Sequence, residues 1–275
     1  MLSHLGGGYH GGMHRFIDSV RRVERAVMHA NTLATEWNAL LKPDAFQYRT
    51  EHKGDGTSVL IGRFKDIPKN DLALELGEFF YQLRAALDGL IYVTAELLSA
   101  PAPPTAENRL EFPIYDTAAR FENCPVWTGP FPEELKNWLQ TVQPYNASTP
   151  TDPNTAEYRR GLKLLHDCAR KDRHRRLHIL GTIPVEARVG FDPPLPNAQV
   201  RFLNPNMFEG EAEMVELRIS EEDWQTPNVH FNANITLNIS VAEMPGLTGD
   251  QLSRELEGLA NMVSLITNDF VRSFP

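Results

Sequence analysis

The chain has almost no cysteine: Cys124 and Cys168 are the only two in 275 residues. That excludes a disulfide framework and points to a reducing compartment. No apolar run approaches the roughly 20 residues of a membrane span. The opening residues lack the charged-then-apolar pattern of a signal peptide, so a cytoplasmic protein with no membrane contact is expected. Positive charge is in deficit, with 27 Lys and Arg against 36 Asp and Glu and a formal charge of -9. Broad coating of nucleic acid is thereby excluded, but a local basic groove is not, because the field depends on where charges sit. Walker loop, Gly-x-Ser-x-Gly elbow, paired cysteines and His-Glu-x-x-His are all absent. No cofactor and no metal are expected.

What is present is chiefly helical periodicity. Residues 1–14 are glycine-rich and read as a flexible leader. From Met13 the apolar residues Phe16, Val20, Val23, Val27, Ala30, Ala34, Trp37 and Leu41 return at three- and four-residue steps, predicting a long amphipathic helix that Lys42-Pro43 ends. Two short strands around Lys53-Gly54-Asp55-Gly56 follow. Asn70 is placed to cap a second long helix, from Asp71 to Leu98, with Leu76, Phe79, Phe80, Leu83, Leu87, Leu90, Ile91, Thr94 and Leu98 inward. A short helix near Glu133 and a third long one from Thr155 come next, the latter with Tyr158, Leu162, Leu165 and Ala169 inward.

The period then changes to two. Val215, Leu217 and Ile219 alternate with polar residues, as do Phe231, Ala233, Ile235, Leu237, Ile239 and Val241, which predicts antiparallel strands with one solvated face. A last helix follows Thr248, on the stripe Leu252, Leu256, Leu259, Val263, Ile266 and Phe270. The expected fold is α+β, a single domain over 15–275. A bundle of about four long helices occupies 15–180 and 248–275, and antiparallel strands at 181–242 are inserted before the last helix.

One stretch resists a packing explanation. "LLHDCARKDRHRRLH", Leu164 to His178, crowds cations around one inward position. Three residues beyond Ala169, the inward series of the third helix reaches Asp172. A carboxylate on a packing face needs a cation or several donors. Arg84, one turn before Asp88 on the second helix, can supply both charge and donors. Arg84 and Asp172 are therefore expected within salt-bridge distance at the mouth of a polar cleft, which His174 or Arg175 reaches from the helix end. Gln143 and Tyr145, in "VQPYN", are placed to line that cleft. The bland alternative is an ordinary intrahelical Arg84–Asp88 pair, with cations that complement the dipole at a helix carboxyl end.

"LRAALDGLIY", then Phe112-Pro113-Ile114, then Gln143-Pro144-Tyr145, then "KDRHR" resembles a widespread family of uncharacterised bacterial proteins. That family's pattern runs Leu-Arg-Ser-Ala-Leu-Asp-His, Phe-Pro-Ile, Gln-Pro-Tyr and Asp-Lys-His-Arg. The likeness covers residues 15 to 175 and rests here on Arg84, Leu87, Asp88, Asp172, His174 and Arg175. The Arg-x4-His part of the pattern is similar to the signature of HEPN helical ribonucleases, which cleave RNA without metal, usually across a dimer interface. Gly89 stands where that histidine belongs.

The resemblance implies a HEPN-like protein that binds RNA or another phosphorylated ligand, with a homodimer or a protein partner. Cleavage, as a metal-independent endoribonuclease, would use His174 as general base on a ribose 2′-hydroxyl. Arg84 and Arg175 would hold the phosphate, and Asp88 and Asp172 would orient them. The rival reading is a non-catalytic structural or interaction protein whose Arg/Asp/His cluster only fixes helix packing.

Overall fold

A computed structural model of the chain describes residues 15–40, 46–53, 57–64, 69–100, 102–104, 107–149, 153–174, 180–195, 197–203, 211–224, 230–241, 244, 247 and 249–273. Side chains are described for most of these, but not for 40, 46, 64, 69–70, 108, 154, 171–174, 180–187, 221, 224, 230–237, 240, 250 or 273. The leader, the hairpin tip at 54–56, Thr248 and Arg175 lie outside the described residues, as do the side chains of Asp172, His174 and Asn234.

The chain is α+β. In order it forms α1 (Ile17–Leu40), β1 (Phe46–His52), β2 (Thr57–Phe64), α2 (Lys69–Ser99), α3 (Ala118–Glu122), α4 (Pro125–Thr128), α5 (Glu133–Thr141), α6 (Pro153–His174), β3 (Leu180–Asp192), β4 (Gln199–Phe202), β5 (Glu211–Arg218), α7 (Glu221–Trp224), β6 (His230–Val241) and α8 (Asp250–Ser273). Single 3-10 turns occur at Glu107–Arg109 and Pro144–Asn146. The long helices fall where expected, and no described helix is long and apolar enough to cross a membrane. Helix α2 starts at Lys69, so Asn70 sits inside it rather than capping it.

Two compact units are present: Met1–Asn31 with Glu75–Leu177 and Arg254–Pro275, and Thr32–Leu74 with His178–Ser253. In the first, the predicted stripes of α2, α6 and α8 are buried, from Leu76 to Thr94, Tyr158 to Ala169 and Leu256 to Phe270. Leu98, assigned to the same stripe, is 46% exposed. The expected stripe along α1 holds at Phe16, just ahead of the helix, and at Val23, but the face is turned slightly: in this unit Ser19 and Ala26 are buried, while Val20 and Val27 are only partly covered.

Small residues explain the turn, because they let helices approach closely. A Cβ on Gly89 of α2 would lie 2.9 Å from Ser19 Oγ of α1, and one on Gly161 of α6 would collide with the Met262 sulfur of α8. Polar contacts join α1 to α2 as well, with His29 Nδ1 at 2.7 Å from Glu75 and Arg22 donating to Gln82 at 3.3 Å.

In the second unit β1, β2, β5 and β4 form one antiparallel sheet in that order, while β3 and β6 pair as a separate ribbon. The strands between α6 and α8 are thus divided, and the larger sheet takes its hairpin from ahead of α2. Leu60, Met214, Val215, Leu217 and Ile219 make its core, covered in part by Val189, Phe191 and Phe202. Gly249, with φ +48, turns the chain into α8 against the Asn238 side chain of β6. Asn238 is consequently half-buried rather than freely solvated.

Phe270 of α8 is buried edge-on between Phe16 and Trp138, at centroid distances of 6.0 and 6.1 Å. Phe270→Ala is expected to lower unfolding free energy by about 3–5 kcal/mol in urea titrations. A loss below about 1 kcal/mol would mean that this contact is not part of the core.

Candidate functional site

Three of the residues that carry the expectation, Arg84, Asp88 and Gln143, meet at one segment outside the helices and strands, Glu111 to Tyr115, in the first unit. This segment is buried at Phe112, Pro113 and Ile114, yet it pairs with no strand among the described residues. Its backbone groups need partners of another kind. Helix α2 provides two. Asp88 Oδ1 accepts from the Phe112 N–H at 2.9 Å, and Arg84 Nη2 donates to the Phe112 carbonyl at 2.8 Å. Residues four apart lie one above the other on a helix, so Arg84 and Asp88 grip both polar groups of one residue. They also pair with each other at 3.0 Å, and Glu111 adds a second carboxylate 3.3 Å from the same nitrogen.

Gln143 works the other side of the segment. Its amide oxygen accepts from the Tyr115 N–H at 3.0 Å, and its amide nitrogen donates to Pro113 O at 2.8 Å and Leu139 O at 3.0 Å. It is fully buried, so it serves the fold rather than a cleft wall. Tyr145 is partly buried beside Phe121, and burial is the main cause that raises its pKa above the ordinary phenol value. Arg159 of α6 is buried too. It donates to Thr141 O, Asn146 O and Thr149 O at 2.7–2.9 Å, which fixes the turn that carries Gln143.

Arg84 itself is enclosed, with its side chain 3% exposed, against 26% for Asp88 and 53% for Glu111. Among the described residues its Nε and Nη1 have no acceptor. His166 on α6 is half-buried, and its Nδ1 is also without a partner among the described residues. Burial pushes the His166 pKa down, and the positive charge of Arg84 is the next largest cause. Cys124 is a buried thiol whose sulfur accepts from Trp127 N at the start of α4, and burial raises its pKa, which suits an inert cap.

Arg84, Asp88 and Gln143 therefore hold one segment, whereas the Tyr145 hydroxyl has no hydrogen-bond partner among the described residues. Asp172 and His174 lie on the last turn of α6 with undescribed side chains, and Arg175 lies beyond the described residues, so the Arg84–Asp172 contact remains an expectation. Glu111, Arg159 and His166 were missed as partners. The signal for His166 was its place one turn after Leu162 on the inward side of α6. Nothing in the sequence singles out Glu111. No three His, Cys, Asp or Glu side chains converge on a metal position among the described residues. A cavity of about 280 Å³ opens elsewhere in this unit, lined by Ala95, Leu98, Arg109, Leu110 and Phe131 among others, and no motif residue lines it.

Comparisons with family models, curated proteins and solved structures return no match.

Two stability predictions arise from this geometry. Gly89→His, which restores the histidine of the resembled signature, should destabilise the protein by roughly 1–3 kcal/mol because the new side chain meets Ser19. Ser19→Gly in the same chain should recover part of it in thermal unfolding, and full tolerance of Gly89→His alone would refute the close packing. Arg84→Ala should cost about 3 kcal/mol, the low end for a broken buried pair, since Asp88 and Glu111 keep some access to water. Partial recovery by Asp172→Asn would place Asp172 in the cluster; strict additivity would exclude it.

Proposed function

We propose that this protein is a HEPN-like helical binding protein of the cytoplasm that engages RNA or another phosphorylated ligand through the cationic end of α6 and does not cleave it. The burial of Arg84 carries the reading. A guanidinium 3% exposed, bound to the Phe112 carbonyl and beside two carboxylates, has no open face for a phosphate. The Arg-x4-His signature is broken at Gly89, where Ser19 fills the room a histidine would need. Arg84, Asp88 and Gln143 then act as the scaffold behind the binding segment.

Support for the binding segment comes from its charges. Arg170 is exposed and has no acidic partner among the described residues. Lys171, Arg173, His174, Arg175 and Arg176 follow it in sequence, interrupted by Asp172. Such a cluster on an otherwise acidic chain gives a local anion site without general nucleic-acid affinity. The same buried clamp favours a second reading, in which the cluster only fixes helix packing and the protein serves as an interaction partner.

Single-stranded RNA binding measured across a salt series separates the readings. Replacing Arg170, Arg173 and Arg175 together by Ala should reduce the slope of log affinity on log salt by about 2, near 0.7 per lost phosphate contact. No RNA should be cut in EDTA. Turnover that disappears on His174→Ala would instead establish the nuclease, and absence of RNA binding at low salt would leave the packing role alone.

A further inference from the structure

The apolar stripe of α2 does not end under cover. Leu98 lies on the predicted inward line yet is 46% exposed, and it lines a cavity of about 280 Å³ in the first unit. Leu110 and the buried Phe131 add further apolar wall. Pro125 and Pro130, whose rings fix φ, stiffen another part of it, so little of the protein is ordered when a ligand enters. The volume lies just under the roughly 300–1,000 Å³ usual for small-molecule sites, which suits a small apolar body.

The polar groups of the lining are unequally occupied. Ser99 donates its hydroxyl proton to the Ala95 carbonyl at 2.8 Å, and Thr128 donates its own to the Cys124 carbonyl at 3.0 Å. Asn123 gives an amide proton to the Ala119 carbonyl at 2.7 Å. Arg109 keeps its donors. It is exposed, it is the one charged residue of the lining among the described residues, and no described acceptor or carboxylate pairs with it. The carboxylates on either side of it in sequence are engaged elsewhere. Glu107 accepts from the Tyr92 hydroxyl at 2.7 Å, and Glu111 lies 3.3 Å from Arg84.

We infer that this cavity binds a short aliphatic carboxylate, with its chain among Leu98, Leu110 and Phe131 and its carboxylate on the Arg109 guanidinium. One guanidinium presents paired N–H donors that match the two oxygens of a carboxylate. A phosphate monoester brings nearly two charges and three oxygens, more than one cation with few other donors can meet. An apolar side chain from a partner protein would fill the walls and leave Arg109 unused. The site shares no residue with the clamp on Phe112 or with the cationic end of α6, and it is independent of what α6 binds.

Hexanoate, 1-hexanol and hexylammonium, titrated separately into the full chain with labelled Leu methyl groups and amides, test the assignment. Hexanoate should bind with a dissociation constant on the order of 1 mM and shift the signals of Leu98, Leu110 and Phe131. Hexanol should bind roughly tenfold more weakly, because it lacks the charge-assisted contact, and hexylammonium more weakly still. Arg109→Gln, at an exposed position, should weaken hexanoate by about tenfold and leave hexanol unchanged. Arg109→Glu should reverse the order of hexanoate and hexylammonium. Equal binding of hexanol and hexanoate to the wild type, or hexanoate binding indifferent to Arg109→Gln, would overturn the inference and leave an apolar contact surface for a partner protein. Absence of shifts at these residues in about 10 mM hexanoate would refute it as well.

Discussion

The first unit depends on how α2 holds the backbone of Phe112. An extended segment buried outside any sheet leaves its N–H and carbonyl groups without partners, and each unmatched group costs about 1–3 kcal/mol. Arg84 and Asp88, one helical turn apart, supply a donor and an acceptor at the spacing that one residue requires. Pro113 removes the next donor by its chemistry, and Gln143 meets the Pro113 carbonyl and the Tyr115 N–H. The arginine must be buried to reach a buried carbonyl, and Asp88 and Glu111 then offset its charge.

The second unit solves its backbone problem conventionally. Strand β2 is central, paired along its length with β1 and β5, and its residues from Ser58 to Gly62 are buried. One face of the sheet packs through Leu60, Val215 and Leu217, while the other carries cross-strand ion pairs such as Arg49–Glu211 and Lys53–Glu213. Those pairs are exposed and screened by water, so register rests on the buried face. A register shift between Leu60 and Ile61 leaves Met214 as the extra residue of β5.

Much of the architecture could be read from periodicity. The stripes of α2, α6 and α8 are long, regular and rich in Leu and Phe, and they are the faces that packed. The stripe along α1 was misread at Val20 and Val27 because two lines of residues that share Phe16 and Val23 have the same spacing. Hydrophobicity favours Val20 and Val27, but the buried line runs through Ser19 and Ala26, where small side chains let α2 come close. The division of the strands into two sheets was not legible either, since alternation shows which face is buried and not which strand is the neighbour. At the site, the i,i+4 pair Arg84–Asp88 was visible. Its partner was not, because a backbone carbonyl and N–H carry no sequence signature. "FPI" and "QPY" read as packing motifs only once Gln143 and Phe112 are seen to share one hydrogen-bonded segment.

The clamp is tested most directly by native-state hydrogen exchange at the Phe112 amide. This N–H belongs to no helix or strand, and its bond to Asp88 Oδ1 is a side-chain contact on a half-buried carboxylate. If Arg84 and Asp88 hold the segment as described, the amide should exchange only through openings about as costly as unfolding of α2 itself, and Asp88→Ala should remove that protection. Exchange of the Phe112 amide at the rate of an exposed loop, with the α2 amides still protected, would contradict the account.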